Sequence, residues 1–151
     1  MLSKKTKYGI QAVLYLAEKF HKGPILISEI AKTQSLPKKF LEAILLELNK
    51  KGLLHSRKGK GGGYFLKRPP NEIMLGEVIR VLEGPLAPVS CVSQTAYRRC
   101  DECKDELSCG IKVVMKEVRD AISKILDHKS LADVFVQKKQ AMDKFTVNYV
   151  I

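Results

Sequence analysis

Cys91, Cys100, Cys103 and Cys109 stand within 19 positions, spaced C-x8-C-x2-C-x5-C, and are the only cysteines of the 151-residue chain. Clustered thiolates are soft donors that suit an iron–sulfur cluster or a zinc ion, and as neighbours they can also oxidise to disulfides. Structural zinc usually takes two tight C-x2–4-C pairs, and only Cys100 and Cys103 make one here. Cluster, zinc and thiol switch therefore all stand as readings of this segment. Cys109 falls near the start of a predicted helix, where the helix dipole favours the thiolate. Arg98, Arg99 and Lys104 act in the same sense, and Asp101, Glu102, Asp105 and Glu106 oppose it.

A second chemistry is written in the charge. Residues 1–70 hold 15 Lys/Arg against four Asp/Glu, whereas residues 71–151 hold 12 of each. The first half thus carries the whole net charge of +11. Such asymmetry points to a polyanion for one half and a different task for the other. No apolar run approaches the ~18 residues that cross a bilayer. The start, MLSKKTKYGI, has neither the apolar stretch nor the cleavage site of a signal peptide. The expectation is a cytoplasmic protein with reduced thiols and no membrane partner.

The elements that must position these groups follow from periodicity. Ile10, Val13, Leu14, Ala17 and Phe20 recur at helical spacing over 5–21, and Lys22-Gly23-Pro24 ends the run. Residues 28–33 predict a short helix with Ser28 as N-cap. After the turn Gln34-Ser35-Leu36, Pro37 suits the first position of a third helix. Phe40, Leu41, Ile44, Leu45 and Leu48 line its buried side, and Gly52 closes it. Residues 53–57 and 63–67 read as strands joined by Lys58-Gly59-Lys60-Gly61-Gly62. Ile73-Met74-Leu75 suggests a short strand, and Gly76 to Leu82 a short helix. A helix, a helix-turn-helix and a basic hairpin, in that order, make a winged helix.

Residues 84–105 read as a cysteine-bearing loop. Over 106–127, Ile111, Val114, Met115, Val118, Ile122, Ile125 and Leu126 form an apolar stripe. That stripe is richer than one small domain needs, which predicts pairing with a second copy. Residues 130–144 predict a last helix capped by Ser130, and Phe145 to Ile151 fits a strand or a tail. The fold class is mainly α with a small β-hairpin. A winged helix-turn-helix domain (1–83) precedes the sensor loop (84–105), a dimerisation helix (106–127) and a C-terminal helix and tail (128–151).

Double-stranded DNA is the polyanion this architecture reads. Recognition helices contact base edges mainly through their N-terminal residues. Lys38 and Lys39 would meet guanine or phosphate, and Glu42 cytosine. Pro37 and Ala43 offer apolar surface beside them, Phe40 shares the first turn with its ring toward the core, and Ser28 can donate to phosphate. Arg57, Lys58 and Lys60 sit where a wing enters or grips the minor groove, with Gly61 at its tip. The same fold used as a protein-interaction module is the rival, and steep salt dependence distinguishes DNA binding from it. An enzyme is not expected: His21, His55 and His128 fall in separate elements, and no triad or paired catalytic carboxylates emerge.

The segments TKYGIQAVLYLA, ISEIAKTQSLPKKFLEAILLELNKKGLLHSRKGKGGGYFL and LGEVIRVLEG, followed by a cysteine loop, resemble the Rrf-two family of bacterial winged-helix regulators over about residues 1–135. The resemblance implies a homodimer on operator DNA, probing it with Pro37, Lys38, Lys39, Phe40, Glu42 and Arg57. It also implies a 2Fe–2S or 4Fe–4S cluster in the loop, whose state controls DNA affinity, and most simply a repressor. Cluster-binding relatives use three cysteines with about five residues between neighbours, a spacing that only Cys103 and Cys109 keep. Where relatives place a histidine or an acidic fourth ligand, this chain has Lys112 and Lys7. The extra cysteine then implies four ligands from the loop itself.

Overall fold

The computed structural model describes residues 2–148. Helix α1 (Lys4–Glu18) starts at Ser3, whose hydroxyl oxygen accepts from the Thr6 amide at 3.2 Å. A 3-10 turn, Phe20–Lys22, follows it. Helices α2 (Ile27–Gln34) and α3 (Lys38–Lys50) form the helix-turn-helix. Both end the same way. Ser35 takes a left-handed conformation after α2, and the Leu36 amide donates back to the Ala31 carbonyl at 2.8 Å. After α3, Gly52 has φ +78°, and the Gly52 and Leu53 amides donate to the Asn49 and Leu48 carbonyls. This pattern satisfies the last carbonyls of a helix and turns the chain sharply.

Strands β1 (Leu54–Arg57) and β2 (Gly63–Leu66) pair antiparallel, with Leu54 opposite Leu66 and Arg57 opposite Gly63. Ile25 adds a third rung, exchanging two 2.9 Å backbone hydrogen bonds with Tyr64. At that rung Gly63 has φ +145°, and a Cβ there would lie 2.2 Å from the Ile25 carbonyl oxygen. Only glycine lets the wing root approach the helix-turn-helix this closely. Helix α4 (Leu75–Leu82) closes the head. The core holds Val13, Leu16, Ile30, Leu41, Ile44, Leu45, Leu48, Leu54, Leu66, Ile73 and Val78, all but excluded from water. Each fully buried aliphatic side chain contributes roughly 1.5–3 kcal/mol.

Beyond the loop, α5 (Gly110–Leu126) buries none of its residues, and α6 (Leu131–Asn148) returns to pack on α1. Leu131, fully buried, belongs to the core of the head. Ser130 and Asp133 cap α6 reciprocally: the Asp133 amide donates to the Ser130 hydroxyl at 3.1 Å, and the Ser130 amide to Asp133 Oδ2 at 2.9 Å.

Five expectations change. Ser28 lies inside the first turn of α2, whose N-cap is Leu26, because pairing of Ile25 with Tyr64 holds the preceding backbone extended. Pro37 is the N-cap of α3 rather than its first residue. The long helix starts at Gly110, not 106, since Asp105 captures the Leu107 amide at 3.1 Å and holds a turn there. Residues 145–148 continue α6 instead of forming a strand or tail, and 149–151 lie outside the described residues. The short strand expected at 73–75 reduces to one bridge, between Met74 and Ser130.

Candidate nucleic-acid interface and thiol site

The first site lies between α3 and the wing. Leu26, Ile27, Ser28, Lys38, Glu42, Leu46, Asn49, Ser56, Arg57, Lys58 and Tyr64 line an open groove of about 450 Å³ there. Of the residues singled out from sequence, Ser28, Lys38, Glu42, Arg57 and Lys58 meet in it. Three cations face one carboxylate, so the groove attracts a polyanion. Lys39 is exposed at the start of α3, and Lys60 and Gly61 form the wing tip, outside the groove. Phe40 is 42% exposed and sets its ring edge-on against Tyr8 of α1 at 5.8 Å, which fixes α1 beside the first turn of α3.

Sequence reasoning missed Leu46 and Asn49, although they continue the face of α3 that starts at Lys38 and Glu42. Asn49 donates to the Ser56 hydroxyl at 3.0 Å and so ties the end of that face to the wing. The rigid joint between α3 and β1 holds reading helix and hairpin as one surface.

The second site is the cysteine loop. All four thiols, with Val89, Glu102, Glu106, Ile111 and Lys112, line one cavity of about 210 Å³ at the start of α5. Cys91 sits on the buried 3-10 turn Ser90–Val92, and Cys109 is the N-cap of α5. The thiols are free, and Cys100 neighbours Cys91 while Cys103 neighbours Cys109. The neighbouring Cys91 chiefly pushes the Cys100 thiol up, and burial chiefly raises that of Cys103. Among the described residues, no three His, Cys, Asp or Glu converge as a single-ion cage. Four soft donors spread around one small cavity match a ligand larger than one ion, so the donor set fits an iron–sulfur cluster.

Charge at the rim is organised. Glu106 accepts from Lys112 Nζ at 2.8 Å and from the Tyr97 hydroxyl at 2.5 Å. The Lys112 bond, then the Tyr97 bond, holds the Glu106 carboxyl below its ordinary range, and Glu106 raises Lys112 in turn. Both groups are therefore charged at neutral pH. Arg99 donates to the Cys103 and Lys104 carbonyls at 3.0 and 3.2 Å, bracing the loop.

The α5 stripe divides. Val118, Ile122 and Leu126 line a groove with Ile10 and Ile79 of the head. Ile111, Val114 and Ile125 stand 53–68% exposed. Among the described residues no helix is long and apolar enough to cross a membrane.

Comparison with known proteins agrees with this architecture. Residues 2–137 match the family described as Rrf2, iron-dependent transcriptional regulator. An HTH-type regulator described as rrf2-like, from Rhodobacter capsulatus, is 39% identical over 137 residues, covering 89% of this chain and 91% of that protein. The structure of CymR, the global cysteine regulator of B. subtilis, superposes with a TM-score of 0.75 at 31% identity, covering 91% of this chain and 97% of that one. The structure of T. potens IscR gives a TM-score of 0.73 at 33% identity, covering 93% and 90%. On this match over nearly its whole length, the chain belongs to the Rrf2 family of DNA-binding transcriptional regulators.

Proposed function

We propose that this regulator is a cytoplasmic homodimer that represses from operator DNA under the control of an iron–sulfur cluster held by Cys91, Cys100, Cys103 and Cys109. The observation that carries the reading is the convergence of all four thiols on one cavity at the start of α5. The family's description as iron-dependent supports it. When bound, such a group supplies an oxygen- and redox-sensitive link among the four thiolates.

The chain's own residues do the rest. Lys38, Lys39 and Glu42 present donors and an acceptor to base edges in the major groove, while Pro37 and Phe40 pack beside them. Ser28 and Asn49 meet the backbone, and Arg57, Lys58 and Lys60 carry the wing, tipped by Gly61, to the minor groove. The exposed face of α5 pairs with that of a second copy, which sets two heads about one DNA turn apart. Cys91 and Cys109 lie on separate supports, so drawing their thiolates onto one group ties the loop to α5.

The test uses protein purified without air and a duplex selected with it from random sequence. The expected result is visible absorption with bound iron and sulfide, both lost in Cys100→Ser, and a DNA affinity at least tenfold different between loaded and stripped protein. A tenfold change needs ~1.4 kcal/mol of differential affinity. Equal affinity in the two states overturns the sensing claim.

A thiol switch is the second reading, favoured by the two neighbouring thiol pairs on one cavity. It expects a colourless protein whose DNA binding changes with peroxide and returns with a dithiol. A colourless protein with one zinc per chain would instead assign the thiols to zinc.

A further inference from the structure

Control of the head by the thiol cavity requires a physical connection, and the structure offers a specific one. Helix α5 has no buried residue, yet the side chain of Arg119 is only 12% exposed. Its Nη1 donates to the Val92 carbonyl at 2.6 Å. Its Nε donates to Asp120 Oδ1 at 2.8 Å, and Nη2 bonds the same oxygen. Val92 follows Cys91 directly, and Cys91, Val92 and Ser93 are the buried part of the loop. The guanidinium therefore holds the deepest thiol-bearing turn against α5, with Asp120 fixing its orientation.

The helix is anchored a second time at its C-terminal end. Arg80 of α4 donates to both carboxylate oxygens of Asp127, at 2.5 and 2.8 Å. Gly76 permits the contact, because a Cβ there would lie 2.3 Å from Asp127 Oδ1. Arg119 and Asp127 are eight residues apart, about 12 Å along a rigid helix. One end of that segment touches the thiol turn, and the other touches the head. Each joint uses a planar guanidinium, which transmits position better than a flexible point charge.

We propose that Arg119 is the positioning residue that couples the state of the thiol cavity to the setting of α5, and through Asp127 and Arg80 to the DNA-binding head. The inference rests on the cavity being the sensory site. It adds the residue through which that site acts. Arg119 touches no thiol in its role; it reads the backbone beside Cys91.

The experiment compares wild type, Arg119→Met, Arg119→Lys and Asp120→Asn as full-length protein, each loaded without air and then stripped of iron. Binding to the selected duplex is titrated in both states, with iron and sulfide per chain measured alongside. Arg119→Met, which keeps the apolar stem, is expected to load normally but to shrink the loaded-to-stripped affinity ratio at least fivefold. Arg119→Lys, which restores one donor, should recover part of the ratio. Asp120→Asn, at an exposed position that leaves the fold unthreatened, should shrink it about twofold. It decides the case if Arg119→Met does not fold. A wild-type ratio above ten that Arg119→Met and Asp120→Asn leave unchanged overturns the strut alone. A wild-type ratio of one overturns the sensory reading and the strut with it.

Discussion

Between Lys4 and Leu82 the chain buries a continuous aliphatic core, whereas between Glu83 and Cys109 only Cys91, Val92 and Ser93 are buried. The head is held by apolar area, by helix ends closed on themselves and by a hairpin pinned at Ile25. The loop is held by polar ties: Ser90 Oγ donates to the Arg98 carbonyl at 3.0 Å, Arg99 braces Cys103, and Glu106 gathers Tyr97 and Lys112. Polar ties in contact with water are each weak, so such a segment opens locally more easily than a core. The contrast follows from what each region buries: the surface that faces DNA stands on an aliphatic core, and the cysteine segment stands on polar ties.

The largest effects should come from the core. Leu45→Ala, at a site with no exposure, is expected to cost about 2–5 kcal/mol in denaturant unfolding. Leu107→Ala, in the loop at 95% exposure, should stay within about 0.5 kcal/mol. Comparable losses would mean that the loop is packed like the head. Next in size is the DNA surface. Arg57→Ala and Lys58→Ala, singly, should each weaken binding and flatten the plot of log affinity against log salt by about 0.9 per phosphate contact removed. An unchanged slope would take the wing off the phosphates.

The smallest effect sharpens the boundary between the two regions. Glu83 accepts from the Ser3 amide at 2.9 Å, the Ser3 hydroxyl at 2.8 Å and the Thr6 hydroxyl at 2.5 Å. These bonds, that from Thr6 foremost, lower its carboxyl from 4.5 to about 2. The folded state therefore favours the charged form. Its contribution is fully present above the ordinary value and is lost as pH falls through about 2. Glu83→Gln should lower the urea midpoint at neutral pH, and the difference from wild type should fade between those two values. A gap that persists at pH 2 would assign the effect to packing.

Much of the head was legible because its signals are local. Ile10, Val13, Leu14 and Ala17 announce α1, Gly52 the stop of α3, and the glycines after Arg57 the wing. The turn between α2 and α3 falls within one residue of Gln34-Ser35-Leu36, Gln34 ending α2 and Ser35 being the left-handed residue in place of glycine. Errors arose where distant residues decide. Ser28 reads as a cap until Tyr64 fixes Ile25. The bridge from Met74 runs to Ser130, which no local pattern could supply. Leu46 and Asn49 belong to the groove because the wing folds over them. At the thiol site the spacing groups the four cysteines that line one cavity, but it gives neither their arrangement nor the rim of Tyr97, Glu106 and Lys112. The loop has no periodicity to constrain its path.

Leu131 has a consequence for how the molecule comes into being. The head contains a core side chain supplied from beyond α5, so a nascent chain still lacking that leucine holds an unfinished apolar interior. Synthesis must pass the whole cysteine segment before the DNA-reading half can set. A product that ends within the loop therefore lacks part of the apolar core of the head.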